Sequence, residues 1–155
     1  MEGLGDAWAP VRAYWAEPSE DNGEVIRDAI LTAEGVKWQC LQGVSDPRQI
    51  APESYTLDTL LMERPGNKDI QQALFLDYAS NLKRYPEFQA FFRQQQLPTL
   101  VIWGKHDPFF IPPGAVAWQR DNPQAVVELL YSGHFALETH TDHIAMRMRE
   151  MFSGD

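Results

Sequence analysis

Three observations place this chain in the α/β class and mark its sheet as incomplete. After Leu97-Pro98 strand and helix alternate: an apolar run at 99–103, a short helix near 115–120, a second strand at 126–130 and a closing helix. The closing helix carries Ile144, Met148, Met151 and Phe152 at i, i+4, i+7 and i+8, the stripe of a helix packed on one face of a sheet. Two parallel strands joined by a crossover leave edges and faces that other elements normally cover, so the second half reads as the end of something larger.

The earlier elements read as helix after helix. Asp6 is placed to cap a helix whose stripe is Trp8, Val11 and Trp15, and the stretch 19–22 offers caps for one carrying Val25, Ile26, Ala29 and Ile30. Gly43 ends a third short helix with Val36, Trp38 and Cys40. The stretch "SDPRQIAPESY" is turn-rich, Leu57, Leu60 and Leu61 suggest a helical turn or two, and Pro65-Gly66 marks a turn. A longer helix over about 69–82 is apolar around most of its circumference, which predicts burial. Pro86 suits the first position of the next helix, with Phe88, Phe91 and Phe92 on one face.

Composition narrows the function. A chain of 155 residues with 44% hydrophobic and 12% aromatic content supports one globular unit. A net charge of −9 with 13 scattered basic residues argues against a nucleic-acid partner. A single cysteine, Cys40, excludes an internal disulfide and fits a reducing cytoplasm. The start "MEGLGDAWAP" lacks the basic and apolar regions of a targeting peptide, and no later window approaches a membrane span, so no membrane partner is expected.

The chemistry-bearing residues stand at the two strand ends. In "LVIWGKHDPFF" Gly104 permits a sharp turn after the first strand, Asp107 falls at the carboxyl end where open α/β sheets bind ligands, and Pro108 restricts Asp107 to extended backbone. Taken alone, Asp-Pro is as readily a simple turn. The second strand ends in Tyr131-Ser132-Gly133, and His134 follows before the last helix. Neighbouring parallel strands put Asp107 and His134 on one rim, where a carboxylate on Nδ1 selects the imidazole tautomer and stabilises the imidazolium formed during proton transfer.

At these residues the chain resembles the α/β-hydrolase family. "LPTLVIWGKHDPFF" and "DNPQAVVELLYSGHFALETH" resemble the last two core strands with their acid and histidine loops, and the helices before them are similar to the cap domain of the branch containing epoxide hydrolases and haloacid or haloalkane dehalogenases. The resemblance implies a cap over residues 1–96, the end of the core over 97–155, Asp107 as acid and His134 as base. It also implies a small-molecule substrate, no cofactor and no metal. No G-x-S-x-G or G-x-D-x-G elbow is present, so the nucleophile and the N-terminal half of the core are expected upstream, with Met1 an internal start or the edge of an expressed segment. The fragment is then expected to be inactive by itself. The rivals are an inactive module binding a small ligand, and complementation by a separately encoded N-terminal half.

"LDYASN" resembles the family segment that presents a cap tyrosine, which makes Tyr78 a candidate substrate-facing donor; the alternative is plain packing with its hydroxyl on a backbone partner. Ala79 stands where an arginine would complete a carboxylate-binding pattern. Trp103 and Phe109 are candidates for the pocket wall, the alternative for both being core. His140 and His143 share a helical face but have no third ligand at recognisable spacing, so they read as a solvated helix start, and His106 is given no role.

Overall fold

The computed structural model describes residues 3–153. A 3-10 turn at Asp6–Trp8 leads into α1 (Ala9–Ala16), α2 (Glu20–Ile30), α3 (Ala33–Leu41), α4 (Pro52–Met62), α5 (Asn67–Asp77) and α6 (Ala79–Gln95). Ser19 caps α2 by accepting from the Asn22 N–H, and Thr32 caps α3 by accepting from the Gly35 N–H. Asp6 makes no such bond. The chain is already turning through Trp8 (φ −82°, ψ −2°) when it enters α1, so no extended capping residue exists there.

Three further expectations need correction. The helix expected over 69–82 is two helices meeting at Tyr78. Its surface is not buried: Ile70 and Leu74 are each 57% exposed. Pro86 lies inside α6 rather than at a helix start, so α6 runs through it with one i to i−4 hydrogen bond fewer. Leu57 and Leu60 sit on an eleven-residue helix, α4, and both are exposed.

The second half follows the predicted syntax. Strands β1 (Leu100–Gly104) and β2 (Val126–Leu130) pair in parallel, Leu100 opposite Val126 and Gly104 opposite Leu130. Between them lie α7 (Pro112–Val116) and α8 (Trp118–Asp121), and α9 (Ala136–Phe152) closes the chain with a break at His140. Ile144 of the predicted stripe is buried, but Met148 and Phe152 are exposed. Met151 is half-buried between them, so the stripe is only partly covered by the two-stranded sheet.

The two halves share one core. Trp8, Val11, Tyr14, Ile26, Ile30 and Leu31 from the helices cluster with Phe109 from the loop after β1. Residues 3–5 reinforce the union: the Gly5 N–H donates to the Phe109 carbonyl at 2.7 Å and the Ile111 N–H to the Gly3 carbonyl at 3.0 Å. Among the described residues, no helix is long and apolar enough to cross a membrane.

Candidate active site

Parallel pairing brings the carboxyl ends of β1 and β2 together, and backbone bonds extend the union past the strands. The Lys105 N–H donates to the Leu130 carbonyl (2.7 Å) and the His106 N–H to the Ser132 carbonyl (3.0 Å). Gly104 permits the close approach: a Cβ there would lie 2.0 Å from the Gly133 carbonyl oxygen. The Asp107 and His134 loops are thereby held side by side.

Asp107 is buried, its side chain 1% exposed against 25% for His134. Its two oxygens divide the work. Oδ1 accepts from the backbone N–H groups of Phe109 (2.8 Å) and Phe110 (3.1 Å), an Asx-type turn that fixes the carboxylate plane. Oδ2 lies 2.9 Å from His134 Nδ1. An ionised carboxylate has no proton to give, so Nδ1 carries it and the neutral ring keeps Nε2 as its free base. The imidazole is enclosed by Phe109, Phe110 and Phe135 at ring-centroid distances of 5.1, 5.7 and 4.8 Å. A partly exposed, carboxylate-oriented imidazole in an apolar wall has the chemistry to take and return a proton.

The predicted substrate-facing residues distribute unevenly around this pair. Phe109 is buried and touches the imidazole, but it also belongs to the core cluster. Trp103 donates its indole N–H to the Phe110 carbonyl (2.6 Å), and with Phe110 it walls a cavity of about 370 Å³ completed by Tyr85, Phe88, Phe92 and Trp118. Tyr78 is set back: its ring lies 5.1 Å from that of Trp8, which in turn lies 5.5 Å from Phe110. Its hydroxyl is 3.2 Å from that of Tyr85, a side-chain partner rather than the backbone partner of the packing alternative. Burial, and secondarily Tyr85, push the Tyr78 phenol well above its ordinary value, so it remains a protonated donor.

The other polar groups have structural partners. His143 and Arg147 of α9 both reach Glu128 of β2, and His140 pairs with Thr139, whose hydroxyl also meets the buried Ser132 Oγ at 2.7 Å. Among the described residues, no three His, Cys, Asp or Glu side chains group as a metal site. Cys40 is buried, and burial followed by the charges of Asp58 and Glu138 raises its thiol, which keeps it protonated and unreactive.

Several contributors were not foreseen. Phe110 and Phe135 flank His134 as closely as Phe109 does, and "DPFF" and "GHF" carry the signal, aromatics directly after each candidate residue. Trp8 and the backbone around Gly43 reach this region from the distant helical half and have no local signature.

An acid and a histidine at adjacent carboxyl ends of parallel strands match a known arrangement. The alpha/beta hydrolase fold family matches residues 14–141. The chain belongs to that family. A Saccharomyces cerevisiae protein named "Uncharacterized hydrolase YNR064C" is 40% identical over 156 aligned residues, covering 98% of this chain and 53% of the yeast protein. The chain therefore spans about half the length of that relative. The mostly helical structure of this chain, with two parallel strands among the described residues, is an incomplete α/β-hydrolase fold.

Proposed function

We propose that the chain is the C-terminal part of a capped α/β-hydrolase of the epoxide hydrolase and dehalogenase-like branch, acting on a small organic substrate through a covalent ester intermediate. Residues 1–96 form the cap and 97–155 the end of the core. The observation that carries this reading is the 2.9 Å contact between Asp107 Oδ2 and His134 Nδ1, with that carboxylate locked by two backbone N–H groups.

In the proposed cycle a nucleophile outside these residues, an aspartate by preference, attacks a substrate carbon and expels its leaving oxygen or halide. His134 Nε2 then takes a proton from water as the water oxygen bonds to the ester carbonyl carbon. Asp107 stabilises the imidazolium, and collapse of the tetrahedral intermediate frees the alcohol, which receives its proton from His134. The nucleophile is left as a carboxylic acid and returns to carboxylate by giving the second water proton to solvent. Tyr78 is the candidate donor to the leaving oxygen, and Trp103 and Phe109 line the path to the pair. The full pair without its nucleophile leaves this chain inactive alone.

The test is a substrate panel of esters, epoxides and haloacids, applied to the 155-residue chain and to the protein encoded when the source reading frame is followed upstream of Met1. The proposal predicts turnover by the longer protein only, abolished by His134→Ala. Enzyme-like turnover by the short chain, dependent on His134, would sink it. A second reading, a ligand-binding module, draws support from the aromatic-walled cavity of about 370 Å³. It predicts cooperative monomeric unfolding and a midpoint raised by an apolar ligand; a molten or aggregating chain excludes it.

A further inference from the structure

The turn after α3 packs backbone against backbone with both site loops. Gly43 has φ +82°, and a Cβ placed on it would lie 2.3 Å from the His106 carbonyl oxygen. One residue earlier, the Gln42 carbonyl oxygen lies 2.0 Å from where a Cβ on Gly133 would stand. His106 is the neighbour of Asp107, and Gly133 the neighbour of His134. The His106 N–H also donates to the Ser132 carbonyl at 3.0 Å, which ties the two loops to each other. Three backbone segments therefore form a closed circuit: the α3 turn against His106, His106 onto Ser132, and Gly133 back against the α3 turn. Helix α3 adds a side-chain contact, Trp38 edge-on to Phe109 at 5.7 Å.

We propose that the Gln42-Gly43 turn is a positioning element that sets the separation of Asp107 from His134, coupling the helical half of the chain to its acid and base. The proposal rests on the functional reading above for its consequence, though not for its geometry. Its physical basis is that the contacts are backbone against backbone. A backbone carbonyl cannot rotate away like a side chain, so movement of the turn must move the acid loop or the histidine loop. Shifts on the order of 1 Å at such a pair cost roughly 100-fold in rate. Glycine is required at 43 for two separable reasons, the left-handed backbone and the missing Cβ.

Gly66 separates them. It has nearly the same backbone, φ +83°, with nothing within 4 Å of an added Cβ. Gly43→Ala, Gly43→Asn and Gly66→Ala would be compared with the unaltered 155-residue chain by the imidazole nitrogen shifts of His134 at about pH 8.5, where a histidine is ordinarily neutral. The unaltered chain and Gly66→Ala are expected to show Nδ1 protonated. Gly43→Ala is expected to lose that preference, and Gly43→Asn, which tolerates left-handed backbone but keeps the clash, to lose it as well. Folded Gly43 variants that retain the Nδ1–H tautomer would overturn the proposal. So would failure of both to fold while Gly66→Ala folds, which would reduce the turn to a folding element. Absence of the Nδ1–H tautomer in the unaltered chain would instead undo the acid and base reading itself.

Discussion

The rim formed by β1 and β2 and the surface of α4 to α6 are built on opposite terms. The rim uses five-residue strands and short loops, yet the buried polar and charged side chains of the described residues, Asp107, Asn122 and Ser132, all lie in that half. The three helices are rich in leucine and phenylalanine and bury no residue fully. Burying polar groups costs free energy unless each is hydrogen-bonded: Asp107 and Ser132 are bonded at the rim, and Asn122 at the opposite end of the strands by Leu97 and Thr99. Apolar content alone does not decide burial in this chain, and its buried polar side chains are held where the strands and their loops supply partners.

Substitutions can break or sharpen this contrast. The largest expected effect is in the shared core: Ile26→Ala, at a fully buried position, should cost about 2–5 kcal/mol in urea unfolding. Asp107→Ala should follow at roughly 2–4 kcal/mol, because it strands the Phe109 and Phe110 amides as well as His134. A loss comparable to that of an exposed carboxylate would refute the locked geometry.

A smaller, pH-dependent effect is expected at Glu128. Burial alone would raise its carboxyl, but hydrogen bonds and charges from His143 and Arg147 outweigh that and hold it below the usual 4.5. A carboxylate lowered on folding stabilises fully above its unfolded value and loses that contribution as pH falls through the folded one. Glu128→Gln should therefore lower stability at neutral pH by about 0.2–1 kcal/mol, the range of partly exposed ion pairs. The gap should narrow progressively in melting curves recorded as the pH is lowered from 4.5. The smallest effects belong to the helical surface: Leu60→Ala and Leu74→Ala, at 65% and 57% exposure, should each shift stability by no more than about 0.5 kcal/mol. Losses of several kcal/mol there would show that these side chains are covered in solution.

The legible parts of the sequence follow the same division. Strand β2 matched its predicted bounds and β1 was displaced by one residue, because glycine, proline and asparagine punctuate both runs. Asp107 and His134 were legible because strand direction alone carries both to one rim. The break at Tyr78 was not, since its backbone stays helical (φ −54°, ψ −28°) and no glycine or proline announces it. The exposure of Ile70 and Leu74 was equally hidden: periodicity reports which residues share a face, while burial depends on what lies opposite. The Gly43 contact joins segments more than 60 residues apart, and only packing reveals it.

The most direct test of the acid and base assignment is intact-mass analysis of the longer protein carrying His134→Ala, incubated with a substrate its parent turns over. Without the base, the second step should stall, and the account predicts a stable ester of one substrate moiety on a carboxylate outside these 155 residues. Undiminished turnover, or an adduct on a residue of this chain, would contradict it.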